Sequence, residues 1–157
     1  NLLRSGKKGG FRRNLLAIYL RKTRPVTLYH GTSDVCVPSI RSGIKTMTGA
    51  NFRGRSQFGE GFYLTRLKIA AQYFADIAAQ NTGGKPEILR FKIHRNVFKK
   101  LKGYEIIGAE YREFSWRMPS KFIENFDYLS GQISGLEPWK QVKFNPRAYH
   151  ILNRFLG

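Results

Sequence analysis

The sequence predicts an α+β domain built on bent, mainly antiparallel sheets with flanking helices. Three observations lead there. Short strand-like runs and helical stretches follow one another without the regular βαβα alternation of a doubly wound fold. The length of 157 residues suits one core, since cores run to roughly 100–200 residues before chains divide. Hydrophobic residues make up 41% and aromatics 14%, enough to fill such a core and to exclude disorder throughout.

Residues 1–25 read as a basic N-terminal arm and helix, with residues 26–157 as the main domain. Leu15, Leu16, Ile18, Tyr19 and Leu20 suggest a short amphipathic helix docked on the domain, after the flexible 5–10 segment. Pro25 resets the chain, and Val26 to Tyr29 form a strand running into His30-Gly31-Thr32. Pro38 starts a short helix, and residues 45–59 form a long polar loop of the kind that usually carries function. Gly61 to Thr65 are the next strand, with Thr65 as N-cap of a helix bearing Ile69, Tyr73, Phe74 and Ile77 at helical spacing among alanines. Gly83-Gly84 ends that helix. Strands are expected over 87–93, 103–107, 126–133 and 141–144, a helical region over 110–125, and a last helix from Pro146.

Charge is the strongest compositional signal. Lysine and arginine number 28 against 10 acidic residues, a net charge of +18, and such a field concentrates polyanions. An acidic protein partner, or a solubility device, is the alternative reading. Cys36 is the single cysteine, which excludes an intramolecular disulfide and fits a reducing compartment. No apolar run approaches the roughly 18–20 residues of a membrane-spanning helix. The start at Asn1 without Met suggests a piece of something longer.

Several chemistries are absent from the pattern. There is no glycine-rich phosphate loop ending in Gly-Lys-Ser/Thr. His94 and His150 have no partner spacing that implies a metal site, so no metal is expected. A nuclease would want acidic or histidine clusters, which are missing.

Three segments remain: Tyr29-His30-Gly31-Thr32, Phe58-Gly59-Glu60-Gly61-Phe62-Tyr63-Leu64-Thr65 with the alanine-rich helix after it, and Gln141-Val142-Lys143-Phe144. Together they resemble the His-Tyr-Glu/Gln branch of the ADP-ribosyltransferase superfamily, which includes the diphtheria-toxin and poly(ADP-ribose) polymerase folds and many bacterial polymorphic-toxin domains of Rhs type. The resemblance spans residues 26–155, and the Phe-Gly-x-Gly-Phe-Tyr-Leu-Thr string is its most specific part. The Ser-Thr-Ser strand and Glu-x-Glu loop of the arginine-type branch are missing.

The resemblance implies an NAD+ cleft between the sheets and makes residues 26–157 the catalytic domain. His30 would hold the adenosine ribose, the main chain of Gly31 would read the nicotinamide carboxamide, and Thr32 would join them in binding NAD+. Tyr63 would stack on the nicotinamide ring, as an aromatic face suits a flat cation, while Phe62 points to the core. The family's usual catalytic Glu is matched here by Gln141, which can hold a ribose hydroxyl but brings no charge. Glu137 or Glu60 would then supply a carboxylate. Arg53, Arg55 and Ser56 are candidates for the NAD+ diphosphate, and Leu136 and Trp139 for acceptor recognition. NAD+ is thus the expected co-substrate. The expected activity is mono-ADP-ribosyl transfer to a macromolecular acceptor, RNA or DNA or otherwise protein, by a monomeric toxin domain. That domain would belong to a secreted bacterial effector acting in the target-cell cytoplasm, with an acidic immunity protein as inhibitor. The rivals are a nucleic-acid-binding module and an inactive NAD+-binding domain.

Overall fold

A computed structural model describes residues 14–19, 23–45, 57–107 and 118–157. Its strands are β1 (Val26–Ser33), β2 (Phe62–Leu64), β3 (Pro86–Ile93), β4 (Gly103–Ile106), β5 (Tyr128–Gln132) and β6 (Lys140–Phe144). Residues 14–19 are helical (α1). The further helices are α2 (Val37–Arg41), α3 (Lys68–Thr82), α4 (Arg95–Lys99), α5 (Ser120–Glu124) and α6 (Tyr149–Phe155), the last preceded by a 3-10 turn at Pro146–Ala148.

The class is α+β, as the irregular order of elements predicts. β1 and β3 pair antiparallel as one sheet, and the second runs β2-β6-β5-β4. β2–β6 and β6–β5 are antiparallel, whereas β4 and β5 are parallel. The sheets meet where Tyr29 and Thr65 exchange backbone hydrogen bonds, Tyr29 N–H to the Thr65 carbonyl at 2.8 Å and Thr65 N–H to the Tyr29 carbonyl at 2.9 Å. Between them lies a core containing Leu28, Phe62, Leu64, Phe91, Ile93, Phe144 and Leu152, all buried. A second cluster of Phe58, Ile106, Phe122 and Leu129 covers the opposite face of the larger sheet.

The long helix departs from the expected pattern. Its buried residues are Ala70, Ala71, Ala75 and Ala79, while Ile69 is 65% and Tyr73 42% exposed. Gly31 gives the reason: a methyl there would collide with the Ala71 carbonyl oxygen and the Ala75 amide nitrogen. Strand and helix approach backbone to backbone, so only small side chains fit between them and the larger apolar ones are turned outward. Thr65 is also not the N-cap. Leu67 occupies that position, and Thr65 Oγ1 accepts the Leu67 N–H at 3.1 Å, one turn ahead of the helix. Gly83, left-handed at φ 72°, closes the helix as the Gly-Gly pair predicts.

Two other expectations change. Leu15, Leu16, Ile18 and Tyr19 of α1 are exposed, so that helix is not docked by its apolar residues. Of the 110–125 region, Ser120–Glu124 is helical and residues 108–117 lie outside the described residues.

Because the collision at position 31 is with helix backbone, Gly31→Ala should destabilise the fold by about 3 kcal/mol or more. Urea unfolding of the two proteins measures this, and equal midpoints would show that the helix can move off β1 at little cost.

Candidate functional site

The joint between the sheets opens into a cavity of about 480 Å³. His30 and Gly31 of β1, Tyr63 of β2 and Gln141 of β6 all border it, with Phe74, Ile77 and Asn81 of α3 opposite and Gln57, Ile133 and Ser134 at the rim. Four residues singled out in the sequence, far apart along the chain, are therefore brought to one cleft of ligand-binding size.

The orientation of His30 is fixed by its neighbours. Nδ1 lies 2.7 Å from the Tyr63 carbonyl oxygen. A carbonyl only accepts, so Nδ1 carries the hydrogen and donates, which leaves Nε2 as an acceptor. The ring also stacks on Phe62, with centroids 4.1 Å apart. Burial lowers its pKa to about 4, against the opposing pull of the Tyr63 carbonyl, so the imidazole is neutral at physiological pH.

Gln141 is oriented by a chain of amides. Gln57 Nε2 donates to the Gln132 carbonyl at 2.8 Å, and Gln57 Oε1 accepts the Ser134 N–H at 2.9 Å. With both ends of Gln57 thus assigned, Gln141 Nε2 donates to Gln57 Oε1 at 3.0 Å, and Gln141 presents its own Oε1 as an acceptor. Gln57 was not singled out in the sequence, because a glutamine in a polar loop carries no local signal.

Tyr63 is anchored at its tip. Its hydroxyl donates to the Gly59 carbonyl at 2.5 Å and accepts the Phe58 N–H at 3.0 Å. Gly59 sits at φ 77°, a left-handed conformation that favours glycine, and the tight turn lets a residue four positions back reach the phenol. The ring is held at the cleft wall by backbone groups.

Behind Tyr63 lies a feature that sequence reading missed. Lys143, directly paired with Tyr63 across β2 and β6, is 0% exposed. Its ammonium donates to the Glu60 carbonyl at 3.0 Å and to Asn145 Oδ1. Asn145 Nδ2 in turn donates to the carbonyls of Phe122 at 3.0 Å and Phe126 at 2.7 Å. The Lys143 stem occupies the space a side chain at Gly61 would need. This network ties the turn before β2 to β6 and to the end of α5. Burial lowers the Lys143 pKa to about 7, partly opposed by Glu60. The available clue was position: Lys143 is two residues after Gln141 and so shares its sheet face.

Other candidates fall elsewhere. Thr32 is buried in β1 and is not among the cavity's lining residues. Glu137 is exposed in the turn before β6, away from the cavity lining, and Glu60 meets Lys143 through its carbonyl. In that turn the Leu136 N–H bonds the Ile133 carbonyl at 3.0 Å, and the Trp139 N–H the Leu136 carbonyl at 2.9 Å. The Trp139 ring stands edge-on to Tyr73 of α3, centroids 6.2 Å apart. Arg53, Arg55 and Ser56 lie outside the described residues. His94 packs on Phe155, His150 is exposed, and the described residues hold no cluster of three or more His, Cys, Asp or Glu suited to a metal ion. No helix among them is long and apolar enough to cross a membrane.

Compared with protein-family models and with curated proteins, the chain matches none. The geometry therefore carries the functional reading.

Lys143 yields a test of this network. Its pKa is about 7 in the folded protein against 10.5 for a solvated lysine, so between these values the unfolded chain binds more protons and stability rises with pH. The Lys143→Met variant should lack this rise, and the wild type should gain on it by up to about 4 kcal/mol between pH 7 and 10.5. Urea unfolding across that range reads the difference, and parallel curves would mean that Nζ is hydrated.

Proposed function

We propose that this chain is an NAD+-dependent mono-ADP-ribosyltransferase domain with the fold of the His-Tyr-Glu/Gln branch, the effector part of a delivered bacterial toxin. The observation that carries the reading is the pair of neutral, orientation-locked acceptors, His30 Nε2 and Gln141 Oε1, in one cleft with the Tyr63 ring. Ribose hydroxyls are donors, and two fixed acceptors suit two such groups. An anchored tyrosine face suits a flat, cationic heterocycle such as nicotinamide.

Bound NAD+ supplies an activated ribosyl group. Its bond to nicotinamide breaks with the electron pair leaving on the neutral amide, and an acceptor nucleophile takes the ribose carbon and loses a proton to solvent. The cleft contributes orientation. His30 and Gln141 hold hydroxyls, Tyr63 holds the leaving ring, and the neutral state of His30 avoids placing a cation beside another. Among the described residues no carboxylate lines the cleft, so positioning carries more of the rate than charge stabilisation, and transfer of a single unit is expected. The net charge of +18 suits a polyanionic acceptor and an acidic immunity protein that blocks the basic surface. A secreted effector working in the cytoplasm of its target cell is the setting this implies.

The test is incubation with labelled NAD+ and total RNA or protein. The wild type should release nicotinamide and label an acceptor. His30→Ala and Tyr63→Ala should each slow release by about 100-fold, the scale of lost positioning. If neither release nor labelling occurs in the folded protein, the transferase reading fails and a basic nucleic-acid-binding module or an inactive NAD+-binding domain replaces it.

The pH profile provides a further check. Since the His30 pKa is lowered to about 4, its Nε2 stays an acceptor down to that pH. The rate should show no inflection near pH 6.5 that disappears in His30→Gln. Such an inflection would place a solvated, titrating imidazole at the site.

A further inference from the structure

The α3 wall of the cleft has a chemistry that the proposed reaction has not used. Phe74, Ile77, Ala78 and Asn81 border the cavity at the i, i+3, i+4 and i+7 positions of one helix face. The first three are apolar and the fourth is an amide. α3 runs alongside β1 in the same direction, since Ala71 and Ala75 lie against Gly31 and Gly84 lies against Asp34. The wall therefore begins at the level of Gly31, next to His30 in the chain, and ends at Asn81, about 10 Å further along the helix than Phe74.

The three amide side chains that border the cleft differ in what holds them. Gln57 and Gln141 are bonded to each other, and Gln57 also to the backbone at Gln132 and Ser134. The Asn81 amide makes no hydrogen bond among the described residues and stands exposed at the end of the wall. It presents a donor and an acceptor side by side, next to the apolar surface of Ala78 and of Ile77, which is 39% exposed. A planar heterocycle fits such a surface, and it pairs with the amide in two hydrogen bonds if its edge carries a donor beside an acceptor. Adenine has that edge, because its N6 amine donates next to a ring nitrogen that accepts, and asparagine matches the pair. A base attached to a ribose held at His30 reaches this wall.

We propose that Asn81 is the specificity-determining residue of the cleft, reading the edge of the adenine base while Ile77 and Ala78 carry its face. The assignment rests on the transferase reading for its place in NAD+ binding, but recognition of an adenine nucleotide is testable by itself. Asn81 takes no part in breaking the bond to nicotinamide. Its contribution is to binding, equal for substrate and transition state.

The experiment compares NAD+ with its 1,N6-etheno analogue, whose adenine carries no hydrogen on N6, by nicotinamide release and by calorimetry, with ADP-ribose as a third ligand. The wild type should show a KM for the analogue about tenfold above that for NAD+, the scale of one lost bidentate pair. Asn81→Leu should raise the KM for NAD+ by about tenfold, leave kcat unchanged and treat the two dinucleotides alike. Leucine suits an exposed helical position, so the variant keeps α3. Gln80→Leu, an exposed neighbour that does not line the cavity, should behave as the wild type. The assignment is overturned if Asn81→Leu keeps the preference for NAD+, since the etheno ring would then be rejected by its shape. It is overturned equally if the variant lowers kcat at constant KM. A wild type that cleaves both dinucleotides equally well removes the assignment and leaves the transferase reading standing. If ADP-ribose binds through Asn81 but NAD+ is not cleaved, the transferase reading fails and the adenine site stands; if neither ligand binds, both fall.

Discussion

The pair of backbone hydrogen bonds between Tyr29 and Thr65 is the constraint on which the rest of the structure depends. Neither sheet alone makes a cleft. The bridge sets β1 against the end of β2, so that His30, one residue past the joint, meets Tyr63, two residues before it. The bond from His30 Nδ1 to the Tyr63 carbonyl is then a consequence of main-chain register, and it selects the tautomer. Thr65 extends the joint to β6 through its hydroxyl on the Lys140 carbonyl, which places Gln141 beside the same opening. Backbone geometry, less adaptable than side-chain packing, positions three chain segments around one cavity.

Lys143 shows what it costs to hold the turn before β2. An ammonium held by neutral carbonyl oxygens rather than by a carboxylate is expensive to bury, and its lowered pKa expresses that cost. What it provides is directional. The Glu60 carbonyl and Asn145 Oδ1 both need a donor, and an apolar replacement would leave them without one. Tyr63 depends on the same turn, since its hydroxyl is bonded to Gly59 and Phe58. The buried lysine and the cleft aromatic are thus two ends of one assembly, linked through residues 58–61.

Much of this was legible in the chain, for identifiable reasons. The strand at Val26 and the strand at Phe62 follow from β-branched and aromatic runs bounded by proline and glycine, and both are present. His30, Tyr63 and Gln141 stood out through the resemblance of their segments to the transferase branch, and the three line one cavity. The face of α3 was misread because hydrophobic periodicity ranks isoleucine and tyrosine above alanine. The decisive factor was Gly31, more than thirty residues upstream, which lets the helix come so close that only alanine fits. Gln57 and Lys143 were missed because their roles exist only through partners distant in sequence, Gln141 for the one and Glu60 for the other. Thr32, next to His30 in the chain, is buried in the strand and does not line the cavity.

The distribution of charge bears on the proposed chemistry. The chain is strongly basic, yet the cleft presents neutral groups: an imidazole kept unprotonated, two amides and an anchored phenol. A positively charged nicotinamide ring would be repelled by cations at that wall. Burial removes the proton from His30 and weakens the hold of Lys143 on its own, and Lys143 stands directly behind Tyr63. Desolvation thus leaves a strongly basic chain with a cleft that tolerates a cation. For the proposed reaction that is the useful property, since the nicotinamide ring carries its positive charge until the bond to ribose breaks and would be repelled by a cationic wall.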